Sequence, residues 1–208
     1  MASRDISPLE IILTEAPLVF CPDDLLTSCL VCGECGAEGA ELCDQGCGHI
    51  VCDDHGEEHR GECRVLARCR EQGVTVDQDS ILLLRMLRIR ENGGPDWEQI
   101  GQFVNEVTRR YPDLILEKMK HHSEDLIRSH GEDWSPFPKD FVEIVKGISV
   151  DDLTPEILRT FFGKIQINSV NGEEGKGLYK SMALINHSCV ANSVYTFSNN
   201  NIVLRANR

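Results

Sequence analysis

The sequence predicts an α+β fold in which a β domain is interrupted by a cysteine-rich, metal-organised module and by a helical insert. Three observations carry this expectation. Nine of the ten cysteines fall between Cys21 and Cys69. Short β-type segments stand near both ends of the 208-residue chain, and the pattern between Arg64 and about Lys146 is helical.

The first twenty residues place aliphatic side chains at a period near two, with Ile6, Ile11 and Leu13, then Leu18 and Val19 after Pro17. Strands broken at Pro8 and Pro17 follow from that spacing. The cysteine run comes next, and the helical stretch begins at Arg64. In it Trp97, Ile100, Val104 and Val107 share one face, and Phe141, Ile144, Val145 and Ile148 repeat the stripe. Breaks are expected at 92–95 and at 135–138. Thr154 is an N-cap with Pro155 at the first helical position, opening a helix through Leu158, Phe161 and Phe162 that Gly163 ends or interrupts. The segment SVYTFSNNNIVLRA alternates and turns at 199–201, which reads as a β-hairpin. Terminal β segments too short for sheets of their own are expected to pair across the insertion.

The run CLVCGECGAEGAELCDQGCGHIVCDDHGEEHRGEC offers four closely spaced ligand pairs: Cys29 with Cys32, Cys43 with Cys47, Cys52 with His55, and His59 with Cys63. Structural zinc takes four thiolate or imidazole ligands from such pairs, so eight ligands make two zinc sites. An interleaved cross-brace closes longer loops than a sequential arrangement and ties the segment together more tightly. It places Cys29, Cys32, Cys52 and His55 at one site and Cys43, Cys47, His59 and Cys63 at the other. Cys35 and His49 are left over, and Cys35 has the spacing to replace Cys29, so that register stays open. The competing reading is a disulfide framework. It is disfavoured by an N-terminus with Asp5, Glu10 and Glu15 through its apolar stretch and no basic region, which is not a signal peptide. The expected compartments are nucleus and cytoplasm. His121, His122 and His130 lie in a polar helical stretch and read as solvated surface.

A net charge of −13 argues against a phosphate-binding surface, because affinity for nucleic acid rests on clustered Lys and Arg. No apolar run approaches a membrane span, since ILLLRMLRI is short and broken by arginines. The metal-binding run is itself acidic, which makes a basic peptide a better partner than nucleic acid; the plainer alternative, that these carboxylates are simply a solvated surface, carries at least as much weight.

A second motif, GKGLYKSMALINHSCVANSVYTF, spans 175–197. Alone, it reads equally as a helix or strand end capped by Asn186, with His187 buried and satisfied. Together with the ILTEAPLV segment, the zinc run and the helical insert, all in one order, it resembles the SET and MYND domain protein-lysine methyltransferases. CGHIVC and HRGECRVLA are most similar to the arthropod SmydA branch. The resemblance implies a SET-type β fold interrupted by a MYND-like two-zinc module and a helical insert. The expected units are N-terminal SET strands at 1–28, the zinc module at 29–63, the insert at 64–146, and the rest of the SET core at 147–208.

It further implies S-adenosylmethionine as cofactor, contacted by Asn168, Asn186 and His187, and a lysine of a histone or other protein as substrate. Asn168 begins the stretch Asn168, Ser169, Val170, where the family has phenylalanine at the third position. Cys189 matches a cysteine that, in many members, joins a further zinc site. The family's glycine loop would precede the matched N-terminal strand, and its lysine-orienting tyrosine would follow Arg208, so neither Tyr179 nor Tyr195 takes that role. The expectation is a truncated chain that binds zinc with weak or no methyl transfer, its catalytic residues unknown. Two other functions are weighed against it: a MYND-type interaction module in transcriptional regulation, docking a proline-containing peptide, and a RING or B-box type ligase-associated module. The latter leaves the NHSC segment unexplained.

Overall fold

The first strands fall where the prolines allow them. β1 (Ile11–Glu15) and β2 (Val19–Pro22) flank Pro17, which lacks the N–H a ladder needs. The break expected at Pro8 is present, although the segment before it, with Ile6, is not a strand. Pro8 and Leu9 form a turn, with Leu9 at φ 65°, and pairing starts at Ile11. The structure, a computed structural model, describes residues 4–33, 40–93, 135–148, 153–172, 174–185 and 188–207.

Each N-terminal strand pairs with one from the far end of the chain. β1 runs antiparallel to β8 (Asn201–Ala206), with Glu15 opposite Ile202, and β8 pairs with β7 (Ser193–Ser198). Asn199 and Asn200 make the hairpin turn with φ of 49° and 61°. Two consecutive left-handed residues match the twist of the flanking strands, and asparagine tolerates that conformation well. β2 runs antiparallel to β6 (Gly175–Leu178), which also pairs with β5 (Ser169–Asn171). Gly175 has to be glycine, because a Cβ there would lie 2.2 Å from the Cys21 carbonyl oxygen. A third sheet, β3 (Ala40–Leu42) with β4 (Ile50–Cys52), belongs to the cysteine-rich run.

Four α-helices occur among the described residues. α1 (Gly56–Gln72) starts at Gly56 rather than at Arg64, so the end of the metal-binding run is already helical. The metal-ligand spacing in GEEHRGEC hid a legitimate helix start, with Glu57 and Glu58 favourably placed at the positive end of the helix dipole. α2 (Gln78–Asn92) is capped by Asp77, whose side chain accepts from the Ser80 N–H at 2.8 Å. Ile81, Leu82, Leu83, Leu84, Met86 and Leu87 are all buried, so this helix is apolar nearly all round. That accounts for ILLLRMLRI: it is a helix buried in the apolar core. No helix of the described residues is long and apolar enough to cross a membrane.

α3 (Lys139–Ile148) buries Phe141, Ile144 and Val145, with Ile148 half-buried, as the stripe predicts. The segment 135–138 before it is non-helical, and α2 stops at Asn92. α4 (Pro155–Asn168) opens as expected, with Thr154 Oγ1 accepting from the Ile157 N–H at 3.3 Å. It passes straight through Gly163, because Lys164, Ile165 and Asn168 beyond it are buried and hold the last turns in place. Trp97, Ile100, Val104, Val107, His121, His122 and His130 lie outside the described residues.

One apolar cluster runs through these elements. It includes Val19, Leu30, Leu66, Ile81, Phe141 and Leu178, and it takes in Cys47 and Cys63 of the cysteine-rich run. The metal-binding segment therefore shares a core with the strands. Polar pins reinforce the join: Asp79 of α2 accepts from Lys176 of β6 at 2.6 Å and from Gln166 of α4 at 2.7 Å.

Leu83 is fully buried in α2, and Leu83→Ala is expected to cost about 2–5 kcal/mol. Urea denaturation of the metal-loaded chain checks this, and an unchanged midpoint would show that α2 is not central.

Candidate metal centres

The folded chain gathers the eight ligand candidates into two groups. Cys29, Cys32, Cys52 and His55 form one, Cys43, Cys47, His59 and Cys63 the other, and within each group the donor atoms lie within 4.8 Å of one another. The pairing is interleaved in sequence. Cys29 and Cys32 come from the turn after β2, while Cys52 ends β4 and His55 ends a short 3-10 turn. Cys43 and Cys47 come from the β3–β4 connection, and His59 and Cys63 stand one helical turn apart on α1, four residues apart on one face. The β3–β4 hairpin thus sends one end to each group. Main-chain bonds fix the approach, with the Leu30 N–H donating to the Ile50 carbonyl at 2.8 Å and the Cys43 N–H to the His49 carbonyl at 2.9 Å.

The separations suit a metal and not a disulfide. Cys29 and Cys52 sulfurs are 3.6 Å apart, Cys32 and Cys52 3.9 Å, and Cys43 and Cys63 3.5 Å. Four ligands about 2.3 Å from a tetrahedral zinc put their sulfurs about 3.8 Å apart, whereas a disulfide needs about 2.05 Å. None of the nine described cysteines is in a disulfide. The imidazoles complete each set: His55 Nδ1 is 2.8 Å from Cys52 Sγ, and His59 Nε2 is 3.3 Å from Cys47 Sγ.

Proton affinities point the same way. Burial pushes the Cys29 thiol up, yet the N–H groups of Cys32, Cys52 and Val31 outweigh it and the group ends below its ordinary value. Burial and the neighbouring Cys29 thiolate hold Cys52 above it. In the other group Cys43 is lowered against the pull of burial by the Gln45 N–H and by Cys63, Cys47 and His59. Cys63 is raised by burial and by Cys43 and Cys47. Crowded thiols cannot all ionise without a cation among them. A divalent ion removes that conflict, so both groups could hold zinc. His59, despite burial, is raised to about 10 by Cys47 and Glu62.

Cys29 occupies the place for which Cys35 was the alternative, and Cys35 lies outside the described residues. His49 is no ligand here. It donates from Nδ1 to the Leu25 carbonyl at 3.0 Å, tying the hairpin to the segment after β2. One buried pair was not foreseen. Glu62 of α1 and Arg85 of α2 meet at 2.7 and 2.9 Å in a two-bond fork, beside His59. Neither spacing nor composition singles them out, since they stand twenty-three residues apart.

Asn168 is buried at the end of α4, and its amide nitrogen donates to the Lys164 carbonyl at 3.0 Å. Asn186 and His187 lie outside the described residues. The approach to them is held by a residue the sequence did not flag: Glu15 of β1 accepts from the Ser181 N–H at 2.8 and 3.0 Å and from the Met182 N–H at 3.3 Å. Tyr179 is no stand-in for a catalytic tyrosine, because its hydroxyl, pushed up to about 12 by burial, donates to the Asn200 carbonyl at 2.7 Å. Cys189 is exposed.

The full chain is expected to retain two zinc ions under native mass spectrometry, and Cys29→Ser or Cys43→Ser to retain one. A wild-type chain that carries one ion, or a Cys43→Ser chain that still carries two, would contradict the two-site arrangement.

No family model matches the chain. Among curated proteins it is similar to the SET domain-containing protein SmydA-8, isoform A, of Drosophila melanogaster, at 25% identity over 226 residues. That match takes in 100% of this chain and 44% of the relative, so the chain spans less than half the relative's length. The two observations together give a mixed α and β chain that is related to a SET domain protein and carries two clusters able to hold zinc.

Proposed function

We propose that this chain is part of a SET and MYND type protein-lysine methyltransferase of the SmydA branch, which uses S-adenosylmethionine and works in the nucleus and cytoplasm on chromatin or other protein substrates. The end-to-end similarity to a SET domain protein carries this reading. The cofactor supplies an electrophilic methyl group on a sulfonium. The chain's own residues have to orient it and exclude water, since transfer to a lysine amine depends chiefly on alignment. Asn168 is a described residue that could take part in binding through its carboxamide, with Asn186 and His187 completing the contact. Glu15 supports them indirectly by fixing the main chain at Ser181 and Met182. In this reading the zinc clusters are structural, because all four positions of each are filled by protein ligands and none is left open for substrate.

The gene product that carries this chain is expected to move labelled methyl groups from S-adenosylmethionine to lysines of histone or peptide substrates. Asn168→Ala or His187→Ala should lower transfer at least about tenfold through lost orientation. A product that binds no S-adenosylmethionine in calorimetry would sink the proposal.

A second reading, a zinc-dependent interaction module, has its own observation. A cleft of about 660 Å³ opens beside Cys63, lined by Arg60, Arg64, Ala67, Arg68 and Glu71 of α1 with Gln45 and Ile148. Its apolar lining, Ala67 and Ile148, suits a proline-containing peptide. If this is the chain's main role, the zinc-loaded protein should hold such peptides in a fluorescence anisotropy titration and Cys43→Ser should abolish the binding. Equal binding before and after zinc removal would count against it.

A further inference from the structure

We propose that Glu62 and Arg85 set the metal affinity of the second cluster and join its metal to the packing of α2 and β2. The inference rests on the zinc reading of that cluster. His59 turns one ring nitrogen, Nε2, to Cys47 at 3.3 Å, and the other, Nδ1, to Glu62 Oε1 at 3.6 Å. That Nδ1 is buried and has no hydrogen-bond partner among the described residues, and the Glu62 carboxylate is the charged group it faces. A histidine that ligates through Nε2 carries its proton on Nδ1, and a carboxylate facing that proton fixes the tautomer and strengthens the ligand.

Glu62 cannot drift from this position. Its side chain is 6% exposed, and Arg85 grips both oxygens, Nη2 to Oε1 at 2.7 Å and Nε to Oε2 at 2.9 Å. Arg85 is fixed in turn, because Nη2 also donates to the Leu30 carbonyl at 2.9 Å and Nη1 to the Phe20 carbonyl. Phe20 belongs to β2, and Leu30 follows Cys29 of the first cluster. The chain of contacts therefore runs from the second metal position through His59, Glu62 and Arg85 to the strand core. The first cluster has no counterpart: among the described residues no carboxylate forms an ion pair with His55. Two clusters with the same ligand types are thus set apart by what stands behind the histidine.

The test uses the full chain loaded with two zinc ions and challenged with increasing concentrations of the chelator EDTA. Cysteines released at each step are pulse-alkylated and located by peptide mass spectrometry, so that Cys43, Cys47 and Cys63 are read separately from Cys29, Cys32 and Cys52. Glu62→Gln is expected to weaken the second set about 10–100-fold while the first set stays within about threefold of wild type. Arg85→Lys should act on the same set in the same direction but less, since a point charge replaces a two-bond fork. Equal shifts in both sets would mean that the pair only stabilises the fold, and unchanged release of the second set would mean that it plays no part in metal binding. Either result overturns the proposal. Should Glu62→Gln fail to fold, Arg85→Lys decides by the same criteria. A wild-type chain that never holds two zinc ions defeats the zinc reading itself, whereas a two-zinc chain indifferent to both substitutions defeats the relay alone.

Discussion

Eight donor side chains, six thiols and two imidazoles, are packed into two knots on a segment with little apolar side-chain material of its own, and each knot could hold a cation. Much of the fold depends on these knots. The β3–β4 hairpin has three residues in each strand, too short to stand alone in water. What holds it is that its two ends run into different clusters. A segment closed in this interleaved way gives up its loop entropy once, on metal binding, and becomes a rigid support for α1.

That support reaches the rest of the chain through α1 and α2. His59 and Cys63 fix the first turns of α1, and the buried Cys47 and Cys63 are part of the same apolar cluster as Val19 and Leu178. The Glu62–Arg85 fork crosses from α1 to α2 inside this cluster. Buried ion pairs add little net stability compared with apolar packing, but loss of one partner leaves a buried charge that costs about 3–5 kcal/mol. The pair is best understood as a device for orientation. It aligns the helix that carries two metal ligands with the helix that fills the core, while β2 and β6 close the other side. The strand pairings β1 with β8 and β2 with β6 then bring the end of β1 beside the segment after β6, where Glu15 accepts from the Ser181 and Met182 N–H groups.

Local chemistry made several parts legible in the sequence. The Thr154–Pro155 helix start, the Asn199–Asn200 turn and the Phe141 stripe depend on residues close in sequence, and each stands where its pattern put it. The two clusters able to hold metal were legible because soft ligands in close pairs have few other uses. Other features were hidden for physical reasons. The start of α1 was masked by histidine and cysteine whose spacing serves metal and helix at once. Gly163 reads as a break, but the burial of Lys164, Ile165 and Asn168 overrides its low propensity. Arg85, Glu62 and Glu15 act through contacts between segments far apart in the chain, and a lone charged residue gives no sign of the partner it will meet. Arginine inside ILLLRMLRI reads as an interruption of an apolar run, whereas in the fold it is the joint between helices.

The central claim is that two metal ions, each held by three sulfurs and one nitrogen, organise this chain. X-ray absorption at the zinc edge tests it most directly. The account predicts an average shell of three sulfurs at about 2.3 Å and one imidazole nitrogen at about 2.0–2.1 Å for each zinc. A shell of four sulfurs, of two sulfurs with two nitrogens, or one rich in oxygen would contradict the assignment of Cys29, Cys32, Cys52 and His55 to one ion and Cys43, Cys47, His59 and Cys63 to the other.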